Sequence, residues 1–165
     1  MADPDVGVAD DPILAAVVAV AASAKVTVTR AGPVQLAVEV SRRDYPALVE
    51  AVKEGGFETF IDLCAVDHLA REPRFDVVVN LLSTQHTRRL LIKVGVANDD
   101  PSLPSISTIY PGANFYEREA WDMFGIVFDG HPDLTRLLMP DEWVGHPLRK
   151  DYRIGSVPIE FKATR

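Results

Sequence analysis

The sequence predicts an α+β fold, in which helices pack on a mostly antiparallel sheet and a further helix leads into a long irregular C-terminal arm. Two patterns predict this class. Several short segments alternate apolar and polar residues with period 2, and one segment between them repeats with the helical period of 3.6. Prolines and glycines then interrupt the chain after residue 97, and no period persists beyond Gly125. The length of 165 residues suits one compact domain plus an extended segment.

An apolar run opens the predicted domain. Residues 13–22 follow Asp11, a suitable N-cap, and Pro12, which is favoured at the first helical position, so they predict a buried helix. The run is shorter than the ~20 residues that a membrane helix needs. Acidic residues precede it, where a secretory leader carries positive charge. Residues 1–12, which are acidic without a basic residue, are expected to form a mobile tail.

The predicted core alternates strands and helices. Strands are expected over residues 25–30 and 34–40, followed by a helix that Asp44 caps and Gly55–Gly56 ends. Its predicted buried face consists of Tyr45, Leu48, Val49 and Val52. Residues 57–67 are apolar on both faces in places, which indicates a central strand. Residues 75–82 and 89–96 predict a hairpin.

Beyond residue 97 the pattern becomes irregular. A short helical stretch is expected near residues 105–110, and a second helix from Asn114 to Gly125. The chain therefore divides into the acidic tail 1–12, a core domain 13–125 and an extended partner-docking arm 126–165. Because the arm lacks a regular scaffold for its apolar residues, we expect it to be largely mobile until a partner covers it.

Composition excludes several classes of function. A formal net charge of −7 argues against a nucleic-acid binder. The single cysteine, Cys64, excludes an internal disulfide and a self-contained iron–sulfur cluster. There is no GxGxxG or phosphate-binding loop. No pair of histidines has the i,i+4 spacing of a helical metal site; the four are His68, His86, His131 and His146. We therefore expect no cofactor and no metal ligand in this chain.

The helix from Asn114 carries the most informative side chains. Asn114 with Glu117 three residues later matches a capping box. Arg118, Glu119 and Asp122 share the face opposite the apolar one, and Arg118 with Asp122 forms an i,i+4 pair of opposite charges. On an exposed helix such a pair contributes only ~0.3–0.5 kcal/mol. Taken alone, this pattern is typical of a solvated charged face.

The longer string over residues 104–152 changes that interpretation. It contains, in order, Glu117-Arg118-Glu119, Asp122, Phe124-Gly125, Gly130-His131-Pro132, Arg136 and Pro147-Leu148-Arg149-Lys150-Asp151-Tyr152. So many residue types at fixed spacings are far more specific than one short motif. The string closely resembles the signature of the thirty-kilodalton subunit family of respiratory complex I.

The resemblance implies a non-catalytic assembly subunit in the peripheral arm of a proton-translocating NADH:quinone oxidoreductase. The flavin and the iron–sulfur clusters would lie in partner subunits. The expected neighbours are the forty-nine-kilodalton (D-type) subunit and the cluster-bearing subunits. The protein would sit peripherally on the cytoplasmic side of the inner membrane, with membrane contact only through the complex. The residues that the resemblance assigns to structure or interfaces are Glu117, Arg118, Glu119, Asp122, His131, Arg136, Arg149, Lys150 and Asp151.

Two alternatives remain open. One is the equivalent subunit of a ferredoxin-driven photosynthetic complex or a membrane-bound hydrogenase, in which only the electron-input module differs. The other is a small stand-alone hydrolase, in which Asp62, Asp67 and His68 near a strand end would supply acid–base chemistry.

Overall fold

The computed structural model describes residues 27–32 and 35–153, together with the single helical residue Ala19. The predicted acidic tail, the rest of the predicted helix at 13–22 and the end of the arm lie outside the described residues. The strands are β1 (Thr27–Gly32), β2 (Gln35–Val40), β3 (Thr59–Asp67), β4 (Phe75–Ser83), β5 (Arg88–Val96), β6 (Ser102–Pro104) and β7 (Val127–Asp129). The helices are α1 (Tyr45–Glu54) and α2 (Ala113–Phe124).

Five strands form one mixed sheet in the order β1-β2-β5-β4-β3. Every neighbouring pair is antiparallel except β2 with β5. The predicted α+β class with a mostly antiparallel sheet is confirmed, and β4 and β5 pair as predicted. The prediction that β3 is a central strand is wrong, because β3 lies at the sheet edge. Its apolar pattern has another cause, since α2 packs closely against it.

Helix α1 covers one face of this sheet with the predicted residues. Tyr45, Leu48, Val49 and Val52 are all buried. They share one hydrophobic core with alternate residues of the central strands, such as Val38 of β2 and Ile92 of β5, which are fully buried. Burying an aliphatic side chain contributes roughly 1.5–3 kcal/mol, so this layer supplies much of the stability.

The strands β6 and β7 form a small parallel sheet, and in the sequence β6 precedes helix α2 and β7 follows it. Leu103 of β6 and Phe128 of β7 are buried in the same core, together with Ile126. The core therefore extends past Gly125, where the domain boundary was expected. Among the described residues, no helix is both long and apolar enough to span a bilayer.

The predicted short helix near residues 105–110 is absent. The chain there makes a single turn, closed by hydrogen bonds from the N–H groups of Ile109 and Tyr110 to the carbonyl of Ile106. Pro111 disfavours helical backbone in the residue before it, which accounts for the early end. The Tyr110 hydroxyl instead donates to the carbonyl of Phe57 at 2.5 Å.

Candidate functional site

Helix α2 is the element from which the candidate site is built. It begins after Gly112 and ends at Gly125, whose φ of +77° is the left-handed conformation that glycine adopts without strain. The His146 ring lies against this glycine, so that an added Cβ would meet the ring at 2.7 Å. Two carboxylates of the helix, Glu117 and Asp122, are fully buried.

Glu117 does not form the predicted capping box with Asn114. Its carboxyl group instead bonds the turn that follows β6, with the N–H of Ile106 at 2.7 Å and the hydroxyl of Ser105 at 2.6 Å. The N–H of Ile106 lies in a turn, where no strand or helix supplies an acceptor, and a buried N–H group needs one. Burial raises the pKa of Glu117 to about 7, although the hydrogen bonds from Ser105 and Ile106 act in the opposite direction.

His131 lies beside Glu117 without making a close ion pair. Its Nε2 is 3.9 Å from a Glu117 carboxyl oxygen, and both side chains are fully buried. The same nitrogen is 3.1 Å from the carbonyl oxygen of Asn114, and the N–H of Asp133 donates to His131 Nδ1 at 3.1 Å. His131 therefore joins the chain after β7 to the first turn of α2.

Asp122 is fully buried, although the charge pattern of the helix taken alone is typical of a solvated face. One of its oxygens accepts the consecutive backbone N–H groups of Leu137, Leu138 and Met139 at 2.8–3.0 Å. The other accepts the Arg136 guanidinium at 2.6 Å. Burial would raise the pKa of Asp122, but these donors outweigh it and lower the pKa to about 2. The carboxylate is thus a fixed anion around which the arm folds.

The predicted Arg118–Asp122 pair is not formed, because both partners bind the arm. The Arg118 guanidinium donates to the Thr135 carbonyl at 3.2 Å, to the Thr135 hydroxyl at 3.0 Å and to the Arg136 carbonyl at 3.0 Å. Arg136 in turn donates to the carbonyl oxygens of Trp143 and Gly145 at 2.7 and 3.1 Å. Helix α2 and the segment 135–145 therefore form one hydrogen-bonded unit.

A second polar cluster fixes residues 149–151 of the arm on the sheet. The buried guanidinium of Arg74 binds both oxygens of Asp67 at 2.9 and 2.7 Å and one oxygen of Asp151 at 2.8 Å. The backbone N–H of Lys150 donates to Asp67 at 2.8 Å, and Arg149 donates to Asp151 at 3.2 Å. Hydrogen bonding to Arg74 holds the pKa of Asp67 and of Asp151 well below the usual range.

The candidate hydrolase residues do not come together as an acid–base pair. Both oxygens of Asp67 are occupied by Arg74 and backbone N–H groups, while His68 Nε2 lies 2.9 Å from Asp76. A general base needs a free acceptor within reach of substrate, which Asp67 lacks. Asp62 is half-buried on β3 opposite Asn80. In the part of the chain that the structure describes, no group of three or more His, Cys, Asp or Glu residues is arranged to hold a metal ion.

Eight of the nine residues singled out from the sequence thus fall into three places. Glu117 and His131 meet at the corner of β6, β7 and α2, and Asp122, Arg118 and Arg136 meet at the middle of the arm. Arg149, Lys150 and Asp151 meet the Asp67–Arg74 pair, whereas Glu119 stays exposed. The sequence did not single out Arg74, because its partners lie 7 and 77 positions away and no short-range pattern marks them.

Several large apolar side chains of the arm are exposed. They are Leu137, Leu138, Val144 and Leu148, and Val144 is 84% accessible. Charged residues of the arm such as Asp133, Asp141 and Glu142 are exposed as well. Exposed large apolar side chains among polar ones are typical of a surface that a protein partner covers.

The sequence matches a known family over most of its length. Residues 38–157 match the family described as "Respiratory-chain NADH dehydrogenase, 30 Kd subunit". The chain is 56% identical over 100 residues to the C-type subunit of NADH-quinone oxidoreductase from Roseiflexus castenholzii, an alignment that covers 61% of this chain but 58% of that relative. It is 49% identical over 126 residues to the corresponding C-type subunit from Roseiflexus sp. strain RS-1, covering 75% and 68% of the two chains.

Solved structures show the same architecture. A trypsin-resistant fragment (1–134) of Nqo5 aligns with a TM-score of 0.66 at 34% identity, covering 74% of this chain and 99% of the fragment. A chain of an archaeal membrane-bound sulfane sulfur reductase complex aligns with a TM-score of 0.69 at 24% identity, covering 86% of this chain and 84% of its own length, and it shares the fold. From the matched residues and the shared architecture, the chain belongs to the thirty-kilodalton subunit family of respiratory-chain NADH dehydrogenase.

Proposed function

We propose that this chain is a non-catalytic structural subunit in the peripheral arm of a proton-translocating NADH:quinone oxidoreductase. Its role is to position cofactor-bearing neighbours, because small displacements along an electron relay carry large rate costs. Flavin and iron–sulfur clusters belong to those neighbours, and this chain holds none. It sits on the cytoplasmic side of the inner membrane and reaches the membrane only through the complex.

The observation that carries the proposal is the arm, which exposes large apolar side chains although buried polar contacts hold it on the core. Leu138 and Val144 are exposed although the segment around them is fixed by Asp122 and Arg136. A rigid apolar surface binds a partner with little loss of conformational entropy. The partner we propose is the forty-nine-kilodalton (D-type) subunit, together with the cluster-bearing subunits beside it.

Paired substitutions test this surface. Val144→Asp places a charge on the outer side of the arm, whereas Val66→Asp places the same charge on an exposed valine of β3. We expect both full-length variants to melt like the wild type. Val144→Asp should deplete the assembled complex on native gels, and Val66→Asp should not. Normal complex levels with Val144→Asp would show that the arm does not dock there.

The proposal that this chain has no catalytic activity and binds no cofactor is tested on the isolated chain. We expect no NADH–ferricyanide turnover and no stoichiometric flavin, iron or zinc in the purified protein. Turnover or bound metal that survives purification would refute the scaffold role.

The equivalent subunit of a ferredoxin-driven photosynthetic complex or a membrane-bound hydrogenase is the alternative. The fold of this chain also occurs in the archaeal sulfane sulfur reductase complex, so the fold alone does not distinguish them. The relatives from Roseiflexus favour NADH:quinone oxidoreductase. Identification of the electron-input subunits that co-purify with the tagged chain decides between the two.

A further inference from the structure

Glu117 is a fully buried carboxyl group without a strong cationic partner. Among the described residues, the ion-pair partner within 4 Å of Glu117 is His131, at 3.9 Å. Its carboxyl group is otherwise bonded to Ser105 and to the backbone of Ile106. Removing a carboxylate from water without a paired charge strongly favours the neutral acid.

The contacts of His131 show that it is a neutral imidazole in this arrangement. Its Nε2 lies at hydrogen-bond distance from the Asn114 carbonyl, so this nitrogen must carry the proton. Its Nδ1 accepts the N–H of Asp133, so this nitrogen must be unprotonated. His131 therefore offers Glu117 no positive charge unless the Asp133 contact breaks.

A neutral Glu117 satisfies every contact around it. One carboxyl oxygen accepts the N–H of Ile106, and on protonation the Ser105 contact reverses, so that the other oxygen donates to the Ser105 hydroxyl instead of accepting from it. The Ser105 hydroxyl can then donate to Ser107, whose oxygen lies 2.8 Å away. We propose that Glu117 is a proton-binding site that holds the corner of β6, β7 and α2 closed as the neutral acid and loosens it on deprotonation.

The titratable groups that face Glu117 come from two other elements. Tyr45 of α1 has a buried hydroxyl without a hydrogen-bond partner among the described residues, and burial and the charge of Glu117 both raise its pKa. His131 follows β7, and the turn after β6 contributes serines. Because burial raises the pKa of Glu117 from 4.5 to about 7, this contact stabilises the fold below pH 4.5 and is lost as the pH rises through 7.

The consequence for the arm follows from the chain path. The segment 129–133 joins β7 to residues 135–145 of the arm and carries both His131 and Asp133. Deprotonation leaves a buried anion 3.9 Å from His131, with no cationic Lys or Arg side chain paired to it among the described residues. Rising pH should therefore loosen the turn at 105–107 and the start of the arm together. This pH response is independent of the proposed scaffold role, so it would hold even if the scaffold role were refuted.

Carbon-13 NMR of the full-length chain measures the proposed proton directly. The side-chain carboxyl carbon of Glu117, assigned by its loss in Glu117→Gln, should titrate with a midpoint between about 6.5 and 7.5. A midpoint below about 5 would overturn the proposal. This readout needs only the folded wild-type chain.

Hydrogen exchange tests the structural consequence. After correction for intrinsic exchange rates, the amides at 105–107 and 129–133 should lose protection about fivefold to tenfold between pH 6 and pH 8. Glu117→Gln mimics the neutral acid, since its amide donates to Ser105 and accepts from Ile106, and it should abolish this loss. Glu119→Gln, on the exposed side of the same helix, should keep the wild-type response. A pH response that persists in Glu117→Gln would overturn the assignment.

Discussion

Replacement of Asp122 by alanine should detach the arm from helix α2. The carboxylate accepts three backbone N–H groups and the Arg136 guanidinium, all at 2.6–3.0 Å, and it is fully buried. Removing one member of a buried charge pair costs about 3–5 kcal/mol, because the remaining donors lose their acceptor. For a chain of this size that loss lowers the melting temperature by roughly 6–20 °C.

The same carboxylate gives the stability a defined pH dependence. The folded-state pKa of Asp122 is lowered to about 2 from its ordinary 3.8, so its contribution is present above about pH 4 and is lost as the pH falls through 2. The shift corresponds to about 2–3 kcal/mol. Asp122→Ala should remove this part of the acid dependence.

Urea denaturation at several pH values is the assay, with Glu119→Ala as the control on the exposed face of α2. The control should lie within about 0.5 kcal/mol of the wild type. If Asp122→Ala is equally mild, the carboxylate does not organise the arm and the reasoning is refuted.

Three further substitutions test the packing of the arm and core. Gly125→Ala should lower the free energy of unfolding by about 1–3 kcal/mol more than Gly130→Ala does. Both glycines have positive φ, but only Gly125 of the two lies against a side chain, the His146 ring. Equal losses of stability in thermal denaturation would exclude that contact. Arg74→Met should destabilise the chain by about 3–5 kcal/mol and expose residues 149–151 to exchange, since Asp67 and Asp151 lose their shared cation. Arg42→Met, which breaks surface pairs with Asp100 and Asp129 and a hydrogen bond to Ser102, should cost about 1 kcal/mol. Similar losses for both arginines would contradict the difference in burial. Gly95→Ala should cost about 1–3 kcal/mol in urea denaturation because its Cβ would come within 2.4 Å of the Pro73 ring, and a neutral result would show that Pro73 moves freely.

Local periodicity was enough to predict the elements of the core. The apolar residues Tyr45, Leu48, Val49 and Val52 recur at helical spacing and are the buried face of α1. The alternating residues of β2, β4 and β5 likewise predict strands, because one face of each packs on the same core. These elements depend on the spacing of residues that are close together in the chain, and that spacing is visible in a single sequence.

The edge position of β3 and the burial of Asp122 could not be predicted in this way. A periodic pattern identifies one buried face of a helix, but α2 has a second face that the arm covers from 14–17 positions away. The Asp67–Lys150 contact spans 83 positions. The family resemblance did mark most of these residues, without indicating which partners they meet. Such long-range contacts become visible only in the folded chain.

The contacts of residues 126–151 favour a folded arm where the sequence predicts a largely mobile one, and the mobility of the free arm stays a prediction. The apolar residues after Gly125 do have a scaffold, since Ile126 and Phe128 enter the core and Asp122 and Arg74 hold residues 136–151. The polar clusters offset the backbone entropy that an irregular segment loses on folding. The division of labour between core and docking arm stays a prediction.

Hydrogen exchange at Leu137, Leu138 and Met139 in the free full-length chain tests the central claim most directly, because these three amides donate to Asp122. If the arm is folded on α2 before any partner binds, the three amides should be protected in the free chain at levels close to those of α2, and the protection should vanish in Asp122→Ala. Exchange at the rate of an unstructured peptide in the wild-type free chain, with protection appearing only in the assembled complex, would contradict it.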